Sequence, residues 1–435
     1  MILSRERQIL NLGEMLAGSA QARPVFIVSY GAGHAAALAP VAAGLVRDGI
    51  AVVCLGLTTA PAVFARHGIE ALGVRDLASF SASYRSAHRL GQRLMPAADR
   101  HALVDHVESD TYMGIGFLAL VRAKGLRAAR AEYAVRARQS FCPTEFFEEI
   151  FSVLKPAVVV ATSAPRSERA ALEAARTLAI KRLCLVDLYA PFEVEWCASP
   201  GFADRICVLS DAVATHMQAH GVPAEKVRVT GNPSFDRLGQ VDRVALRKKF
   251  RAERAIPEDG RVVAWISQPE PRKHPFSDLA GDPQMPVKVE DALVAHFAGR
   301  PDVRIVIRMH PSETREKRSL GNHVSYSDSS ESLDELLSGV DCVLTSGSTV
   351  GLEAAMLGTA VGQYTGSIFS NDLPLATMGL AARVEALSDL GRTVEELFAT
   401  KHGANPQVLA LRQQVGSAAK NVANEIGVLY FNSER

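Results

Sequence analysis

Short apolar runs alternate along this chain with longer segments whose apolar residues recur at helical spacing. Residues 24–29, 157–162 and 261–267 are such runs, and they are rich in valine, isoleucine or alanine. Runs of this kind predict strands buried on both faces, and the amphipathic segments between them predict helices that cover a parallel sheet. The pattern therefore predicts an α/β fold.

The chain has 435 residues, which is more than one ordinary hydrophobic core contains. A strand-like segment at 227–230 leads into the turn Gly231-Asn232-Pro233, and turn chemistry of this kind suits a hinge between domains. We therefore expect two domains, residues 1–235 and residues 236–435, with Asn232 as a candidate residue of the cleft that they form.

Composition and charge narrow the class of protein. The net charge is +1, from 48 lysines and arginines against 47 aspartates and glutamates, so bulk charge predicts no nucleic-acid partner. The six cysteines form no C-x-x-C pair, which favours reduced thiols. No apolar run is long enough to span a bilayer, and the N-terminal segment has the pattern of an amphipathic helix rather than of a signal peptide. We expect a cytoplasmic protein, and the sequence offers no cluster of metal ligands.

A basic stretch lies within the helical region at 79–139. Its simplest interpretation is a solvated helix face beside core residues. The alternative is a surface that contacts anionic lipid or a polyanionic acceptor chain, which would bring the protein peripherally to the inner membrane. The basic residues are Arg122, Lys124, Arg127, Arg130, Arg136 and Arg138, and Glu132 is the one acid among them.

The first strand runs into a glycine-containing turn, Tyr30-Gly31-Ala32-Gly33-His34, ahead of a predicted helix at 35–47. Gly31 and Gly33 allow the backbone to approach a ligand or the facing domain. His34 is a candidate contact for donor or acceptor, with a structural hydrogen-bonding role as the equal alternative. Ala36 stands where a dinucleotide-binding fingerprint has its third glycine, so we do not expect a nicotinamide or flavin cofactor.

Acidic residues follow two later strands of the first domain. Asp187 ends the segment 183–187, and Glu168 comes shortly after the segment 157–162. An acidic residue at a strand end is where a general base for an acceptor hydroxyl would lie. Asp187 is the first candidate base and Glu168 the second, although Asp187 can instead cap the following turn.

The segment 340–364 predicts a strand, a turn of small residues, a helix that stops at Gly358, and a second strand. Backbone N–H groups and hydroxyls at the start of such a helix can bind a phosphate, and Glu353 in its first turns can accept hydrogen bonds from a ribose diol. The alternative is that Ser348 or Thr349 merely caps the helix. The candidate donor-binding residues of the turn are Ser346, Gly347, Ser348 and Thr349.

A second phosphate contact is predicted upstream of that turn. The β-rich segment 303–309 delivers His310 and Pro311 at its carboxyl end, the end at which open α/β sheets bind ligands. His310 can donate to a phosphate oxygen, and Pro311 fixes the turn that holds it. We expect the two motifs to contact phosphate from neighbouring strand ends.

Four segments in this order and spacing, GAGH, RVTGNPSFDRL, RMHP and TSGSTVGLEA, resemble the superfamily of GT-B glycosyltransferases and UDP-N-acetylglucosamine 2-epimerases. The HP motif followed by a serine-rich turn is most similar to CDP-glycerol glycerophosphotransferases and to the bacterial sialyl- and polysialyltransferases of capsule synthesis.

The resemblance implies two Rossmann-like α/β/α domains that face a cleft, an acceptor side at 1–235, a donor side at 236–435, and a C-terminal helix that packs back. It implies transfer of a sugar from a nucleotide donor to the hydroxyl of a glycan, lipid-linked or protein acceptor. The transfer would be inverting and metal-independent, and a CMP-sugar is among the candidate donors. His310, Ser348 and Thr349 would bind the donor phosphate, Glu353 would lie near the ribose, and Asp187 would stand where these families place the base. His310 would also take part in catalysis, by stabilising the leaving phosphate.

Two alternatives remain open. One is a sugar-nucleotide enzyme similar to the UDP-N-acetylglucosamine 2-epimerases. The other is a nucleotide-sugar or polysaccharide-binding module that kept the fold and lost the base.

Overall fold

A computed structural model describes residues 3–16, 23–78, 80–94, 104–328, 330–399 and 405–432. The chain divides into two compact units. The first unit comprises the residues up to Asp236 together with those from Ser417 onward, and the second unit comprises Arg237–Gly416.

The first unit contains a six-stranded sheet in which all the strands are parallel, in the order β2-β1-β3-β4-β5-β6. The strands are β1 (Val25–Tyr30), β2 (Val52–Leu57), β3 (Val158–Thr162), β4 (Lys181–Leu185), β5 (Arg205–Val208) and β6 (Val227–Val229).

Helices flank this sheet. They are α1 (Arg5–Leu16), α2 (Gly31–Arg47), α3 (Ala60–Arg66), α4 (Val74–Ala78), α5 (Ala87–Leu94), α6 (His106–Lys124), α7 (Leu126–Arg136), α8 (Thr144–Leu154), α9 (Ser167–Thr177), α10 (Val194–Cys197) and α11 (Asp211–Ala219).

The second unit repeats this architecture with the strand order β12-β11-β10-β7-β8-β9, again parallel throughout. Its strands are β7 (Arg261–Ile266), β8 (Val303–Arg308), β9 (Val324–Ser327), β10 (Cys342–Thr345), β11 (Ala360–Tyr364) and β12 (Ala382–Val384). Its helices are α12 (Arg243–Glu253), α13 (Met285–His296), α14 (Leu333–Gly339), α15 (Thr349–Leu357), α16 (Leu390–Ala399) and α17 (Pro406–Gln414). The predicted α/β fold with two Rossmann-like sheets is confirmed.

The last helix, α18 (Ala418–Asn432), belongs to the first unit. A C-terminal helix that packs back was predicted, and α18 does so. Its buried residues Val422 and Ile426 join the same core as the apolar face of α2. The Asp236 carboxylate accepts the N–H groups of Ala418 at 3.0 Å and Ala419 at 2.8 Å, so it satisfies open donors at the start of the helix.

The strand order reverses once in each sheet, between β1 and β3 in the first unit and between β7 and β10 in the second. Loops that leave the carboxyl ends of these strands diverge, and the crevice between them is where open parallel sheets bind ligands. The candidate residues lie just after these four strands, β1, β3, β7 and β10, or just after strands next to them in the sheets.

Two local predictions are wrong. The segment after β1 is not a separate glycine turn, because α2 begins at Gly31 itself and His34 lies in its first turn. Strands β8 and β10 are not neighbours, because β7 lies between them. With a strand spacing of about 4.8 Å, the ends that carry His310 and Ser346 are roughly 10 Å apart.

No helix within the described residues is long and apolar enough to cross a membrane. Five of the six cysteines are buried, and Cys142 is exposed.

Helices α5 and α6 cross with their backbones in contact at two glycines. A Cβ atom on Gly114 would lie 1.8 Å from the carbonyl oxygen of Ala87, and one on Gly91 would lie 1.6 Å from that of Asp110. Only glycine allows this approach, since the contacted atoms belong to backbone that cannot rotate away.

We expect Gly114→Ala to destabilise the protein by about 1–3 kcal/mol, because the added methyl group forces the helices apart. Thermal unfolding should show a lowered Tm. The matched control is Gly427→Ala in α18, where the nearest side-chain atom to a Cβ lies 4.0 Å away, on Phe431, and higher helix propensity should raise the stability slightly. Equal Tm values for the two variants would contradict the crossing.

Candidate functional site

The loop that follows β8 fixes one nitrogen of the His310 ring. The backbone N–H of Ser312 donates to His310 Nδ1 at 3.1 Å, and the Ser312 hydroxyl lies 2.6 Å from the same nitrogen. Because a backbone N–H can only donate, Nδ1 is the unprotonated nitrogen and Nε2 carries the proton. The exposed His310 ring therefore offers a hydrogen-bond donor, which is the group that a phosphate oxygen needs.

Glu313 anchors this loop to the sheet. Its carboxylate accepts the backbone N–H of His310 at 2.8 Å, the Ser267 hydroxyl at 2.9 Å and Arg315 Nε at 2.8 Å. Ser267 follows β7, so Glu313 connects two adjacent strand ends. The sequence analysis gave Glu313 no role, although an acid three residues after a strand-end histidine is placed to accept backbone N–H groups.

A buried carboxylate holds the far side of the same loop. Glu290 of α13 is fully buried, and it forms a two-pronged ion pair with the Arg315 guanidinium and a longer contact of 3.5 Å with Arg318. Burial raises the pKa of Glu290, and the Arg315 hydrogen bond opposes that rise. Sequence reasoning missed this pair because it joins a helix to a loop 25 residues away.

The turn after β10 is built to begin a helix. The Ser348 hydroxyl accepts the N–H of Val350 at 3.2 Å, and the Thr345 hydroxyl accepts the N–H of Ser348 at 3.0 Å. A Cβ atom on Gly347 would lie 2.4 Å from the carbonyl oxygen of Phe369, so only glycine fits there. The Ser348 side chain is thus the cap that the simpler alternative predicted.

The Gly351 N–H also has an acceptor, the Ser348 carbonyl oxygen at 3.0 Å, so the Thr349 N–H is the donor at this helix start to which the described residues supply no acceptor. An α-helix has four N-terminal N–H groups without intrahelical partners, and Thr349 stands exposed at the first helical position of α15. Ser346 is buried, and its carbonyl oxygen accepts the Gln363 side-chain amide at 2.8 Å. Phosphate binding by Ser346, Gly347, Ser348, Thr349 and Pro311 stays a prediction.

Glu353 lies one turn further along α15 and is largely buried. It forms an ion pair with Arg237, whose second amino group contacts Asp334 at 2.5 Å. Burial raises the pKa of Glu353, and the Arg237 charge opposes that rise. The predicted contact with a ribose remains a prediction, and Arg237 is a residue of this site that sequence reasoning did not find.

In the first unit, three side chains meet at the carboxyl edge of the sheet. His34 Nδ1 lies 3.1 Å from the Thr162 hydroxyl at the end of β3 and 3.8 Å from Asp187 Oδ2 just after β4. The His34 side chain is 26% exposed and the Asp187 side chain 36% exposed, so both can be reached from solvent. The Thr162 hydroxyl is the hydrogen-bond partner of Nδ1, and Asp187, which is too far away for a hydrogen bond, acts on the ring through its charge.

Backbone contacts hold Asp187 in position. The Ser163 hydroxyl accepts its N–H at 3.3 Å, and the Asn232 side-chain amide donates to its carbonyl oxygen. Asn232 Oδ1 in turn accepts the backbone N–H of Ser234 at 3.0 Å. Asn232 is buried, so it supports the base region from behind.

Glu168 is fully buried beside the start of α2. One carboxylate oxygen accepts the backbone N–H of Tyr30 at 2.5 Å, and the other has no hydrogen-bond partner among the described residues. Burial raises the pKa of Glu168 to about 7, and the nearby charge of His34 opposes the rise. A group this buried is poorly placed to reach an acceptor hydroxyl directly.

The candidate residue Gly33 is exposed. Among the described residues outside its own helix backbone, no atom lies within 4 Å of a Cβ built on it.

Part of the basic stretch is neutralised by acids. Arg122 pairs with Glu145 at 3.0 Å and with Glu149 at 3.6 Å, and Glu132 pairs with Lys124 at 2.5 Å and with Arg136 at 3.6 Å. Arg138 follows α7 and lines a cavity of the first unit. Membrane contact through this stretch stays a prediction.

Comparison with known proteins rests on structure. No protein family model matches the chain, and no curated protein sequence matches it. The UDP-GlcNAc 2-epimerase from Neisseria meningitidis, solved bound to UDP-GlcNAc, superposes with a TM-score of 0.57 at 13% identity, over 93% of this chain and 100% of that one. A glycosyltransferase from Rickettsia africae has a TM-score of 0.54 at 11% identity, over 96% and 100%.

A third structure, the calicheamicin glycosyltransferase CalG4, has a TM-score of 0.51 at 13% identity, over 94% of this chain and 98% of that one. The fold is GT-B. The predicted resemblance to the fold of the GT-B glycosyltransferase and epimerase superfamily is confirmed, whereas the narrower likeness to CDP-glycerol and sialic acid enzymes stays a prediction.

Glu168 generates a pH-dependent prediction. Because its pKa is raised from 4.5 to about 7 in the folded state, the folded protein keeps a proton that the unfolded chain releases. Stability should therefore fall as the pH rises from about 4.5 to about 7, and should level off above that. The loss attributable to this group is at most about 3 kcal/mol.

Urea unfolding across this pH range should reveal the effect as a difference between the wild type and Glu168→Gln, which keeps an acceptor for the Tyr30 N–H and cannot ionise. The control Glu173→Gln removes a carboxylate from the same helix without touching Tyr30. Parallel stability profiles for the wild type and Glu168→Gln would show that Glu168 does not titrate in this window.

Proposed function

We propose that the protein is a glycosyltransferase that transfers a sugar from a nucleotide donor to an acceptor hydroxyl. The observation that carries this proposal is the group of His34, Thr162 and Asp187 at the carboxyl edge of the first sheet. A histidine with a carboxylate at Nδ1 is an arrangement suited to removing a proton from a hydroxyl. The GT-B fold, which glycosyltransferases share, supports the proposal.

His34 acts as the base in this proposal, and Asp187 acts on His34. As the acceptor oxygen attacks the anomeric carbon, its proton passes to His34 Nε2, and the bond from that carbon to the phosphate oxygen breaks with its electron pair going to the phosphate. In this proposal the Thr162 hydroxyl accepts the Nδ1 proton, and the charge of Asp187 stabilises the imidazolium that forms. The sequence-based assignment of Asp187 itself as the base stays a prediction.

The second unit holds the donor phosphate. His310 Nε2–H donates to a phosphate oxygen, and the Thr349 N–H and the positive dipole end of α15 attract the same negative charge. These contacts strengthen as the leaving phosphate gains charge, so they lower the barrier as well as bind the donor. Because β7 separates the two strand ends, the contacts fall on different oxygens of an extended phosphate group.

Glu353 and Arg237 suit the nucleoside end of the donor. Glu353 lies four residues after Thr349, which places both on one face of α15. A ribose diol that donates to the Glu353 carboxylate would share it with Arg237. UDP is the first nucleotide to test because the Neisseria meningitidis epimerase was solved with UDP-GlcNAc, and CMP remains the candidate from the sequence.

An epimerase-like activity is the second candidate. It is favoured by two carboxyl groups of the first unit, the fully buried Glu168 and the partly buried Glu193. Burial raises the pKa of Glu168 to about 7 and raises the pKa of Glu193. Groups tuned in this way can give and take protons on a sugar. Incubation with UDP-N-acetylglucosamine alone separates the two candidates, since an epimerase interconverts the sugar without an acceptor.

We expect His34→Ala and Asp187→Asn to lower turnover by about 100-fold or more, the usual scale of general-base catalysis, while nucleotide affinity changes little. His310→Ala should weaken nucleotide affinity by about tenfold or more, because a hydrogen bond to a charged phosphate is lost. His310→Gln should restore part of that affinity, since its amide can donate. Thermal shift with CMP, CDP, UDP and GDP measures binding, and sugar transfer measures turnover.

The control is His220→Ala, at an exposed residue of the first unit that contacts the carbonyl oxygen of His216. Full activity of His34→Ala would refute the base assignment, and full activity of Asp187→Asn would refute the role given to Asp187. If none of the four nucleotides raised the Tm, the proposal of a nucleotide-sugar enzyme would fall.

A further inference from the structure

The first unit contains a cavity of about 280 Å³ at the same sheet edge as His34. Its walls include Tyr30 and Gly31 at the end of β1 and Leu57 and Thr58 at the end of β2. Gly31 begins α2, and His34 lies within the first turn of that helix. The cavity therefore lies at the start of the helix that carries His34, the residue to which we assign the proton transfer.

Backbone strain shapes this wall. Thr58 has a φ of 54°, in the left-handed region, which a β-branched residue rarely adopts. Arg166, after β3, has a φ of 73°, and its guanidinium lies 4.3 Å from the centre of the Tyr30 ring. Such conformations cost roughly 1–3 kcal/mol each and cluster at ligand sites, which favours a binding role for this edge.

The side chains that line the cavity suit a flat apolar group. Tyr30 and Tyr112 contribute rings 5.7 Å apart, and Leu57 and Met113 add aliphatic and thioether surface. The Tyr112 hydroxyl is buried and has no hydrogen-bond partner among the described residues. A buried hydroxyl without a partner is costly, and a polar substituent on a bound ring can satisfy it.

The lining contains two charged side chains, Glu108 and Arg138, and only the second is open to a ligand. Both oxygens of Glu108 accept backbone N–H groups at the start of α4, from Val74 at 2.5 Å and from Arg75 at 3.2 Å. Arg138 is exposed, and no carboxylate in the described part of the chain lies within ion-pair distance of it. An Arg guanidinium pairs well with a carboxylate or phosphate.

The volume limits the occupant. Ligand pockets usually measure about 300–1,000 Å³, and this cavity of about 280 Å³ lies at the small end of that range. It has room for one ring with small substituents and not for an oligosaccharide chain.

We propose that this cavity is the acceptor site, and that the acceptor is a small hydroxylated aromatic acid rather than a polymer. The ring packs against the side chains of Tyr30, Tyr112 and Met113 where they face the cavity, and the acid group pairs with Arg138. This inference rests on the proposed glycosyltransferase function, and it narrows the acceptor from the glycan, lipid-linked and protein hydroxyls that the sequence suggests.

Binding of 4-hydroxyphenylacetate tests it, measured by calorimetry at millimolar concentration against two controls, the neutral amide 4-hydroxyphenylacetamide and a linear glucose oligosaccharide. The wild type should bind the acid, bind the amide about tenfold more weakly through loss of the charge-assisted bond, and not bind the oligosaccharide. Arg138→Ala should lose that tenfold preference, and the matched variant Arg136→Ala should keep it. Met113→Trp, which fills the cavity, should abolish binding of both small probes.

The inference is overturned if the wild type does not bind the acid, if Arg138→Ala binds it as well as the wild type does, or if the oligosaccharide binds more tightly. Arg138 is exposed, so loss of folding does not confuse its result. The nucleotide thermal shift on the same preparation separates failure of the acceptor assignment from failure of the proposed glycosyltransferase function. A protein that binds nucleotide but not the acid refutes the acceptor assignment alone.

Discussion

The structure depends on the parallel order of its two sheets and on the single reversal within each of them. Because every strand of a sheet points the same way, the loops that bear the candidate residues all leave at one edge. In the first unit this brings together side chains that are 128 and 153 positions apart in the chain, Thr162 and Asp187 from His34. No local turn could achieve that.

Carboxylates then fix the loops at these edges. Glu313 connects the ends of β7 and β8, Glu290 holds Arg315, and Glu168 binds the backbone at the start of α2. Removing one partner of such a buried pair leaves an uncompensated charge, which costs about 3–5 kcal/mol. These residues contact the loop that carries His310 and the start of the helix that carries His34, so they help to set the positions of the groups to which we assign chemistry.

The sequence was sufficient to predict where the strands and helices lie, but not the order of the strands within each sheet. Strands such as β8 and β10 follow from apolar runs, and the position of His310 at a strand end follows from the residues that precede it. That β7 lies between β8 and β10 depends on which strands pair, a property of the whole sheet that local pattern does not encode. The start of α2 at Gly31 was missed because glycine and a positive φ indicate a turn.

Side-chain partners were the least predictable feature. Arg237 reaches Glu353 across 116 positions, and neither residue carries a local signal for the other. From the sequence, His34 suited a structural or a functional role equally. Its 3.1 Å contact with Thr162 and its 3.8 Å distance to Asp187 join residues that no local pattern links.

The measurement that tests nucleotide binding most directly is hydrogen–deuterium exchange of the wild type with and without UDP or CMP. We expect slower exchange in segments 308–315 and 345–353, where the phosphate and ribose contacts lie, and unchanged exchange in α18. Protection confined to other segments, or none at all, would contradict a donor site at the edge of the second sheet.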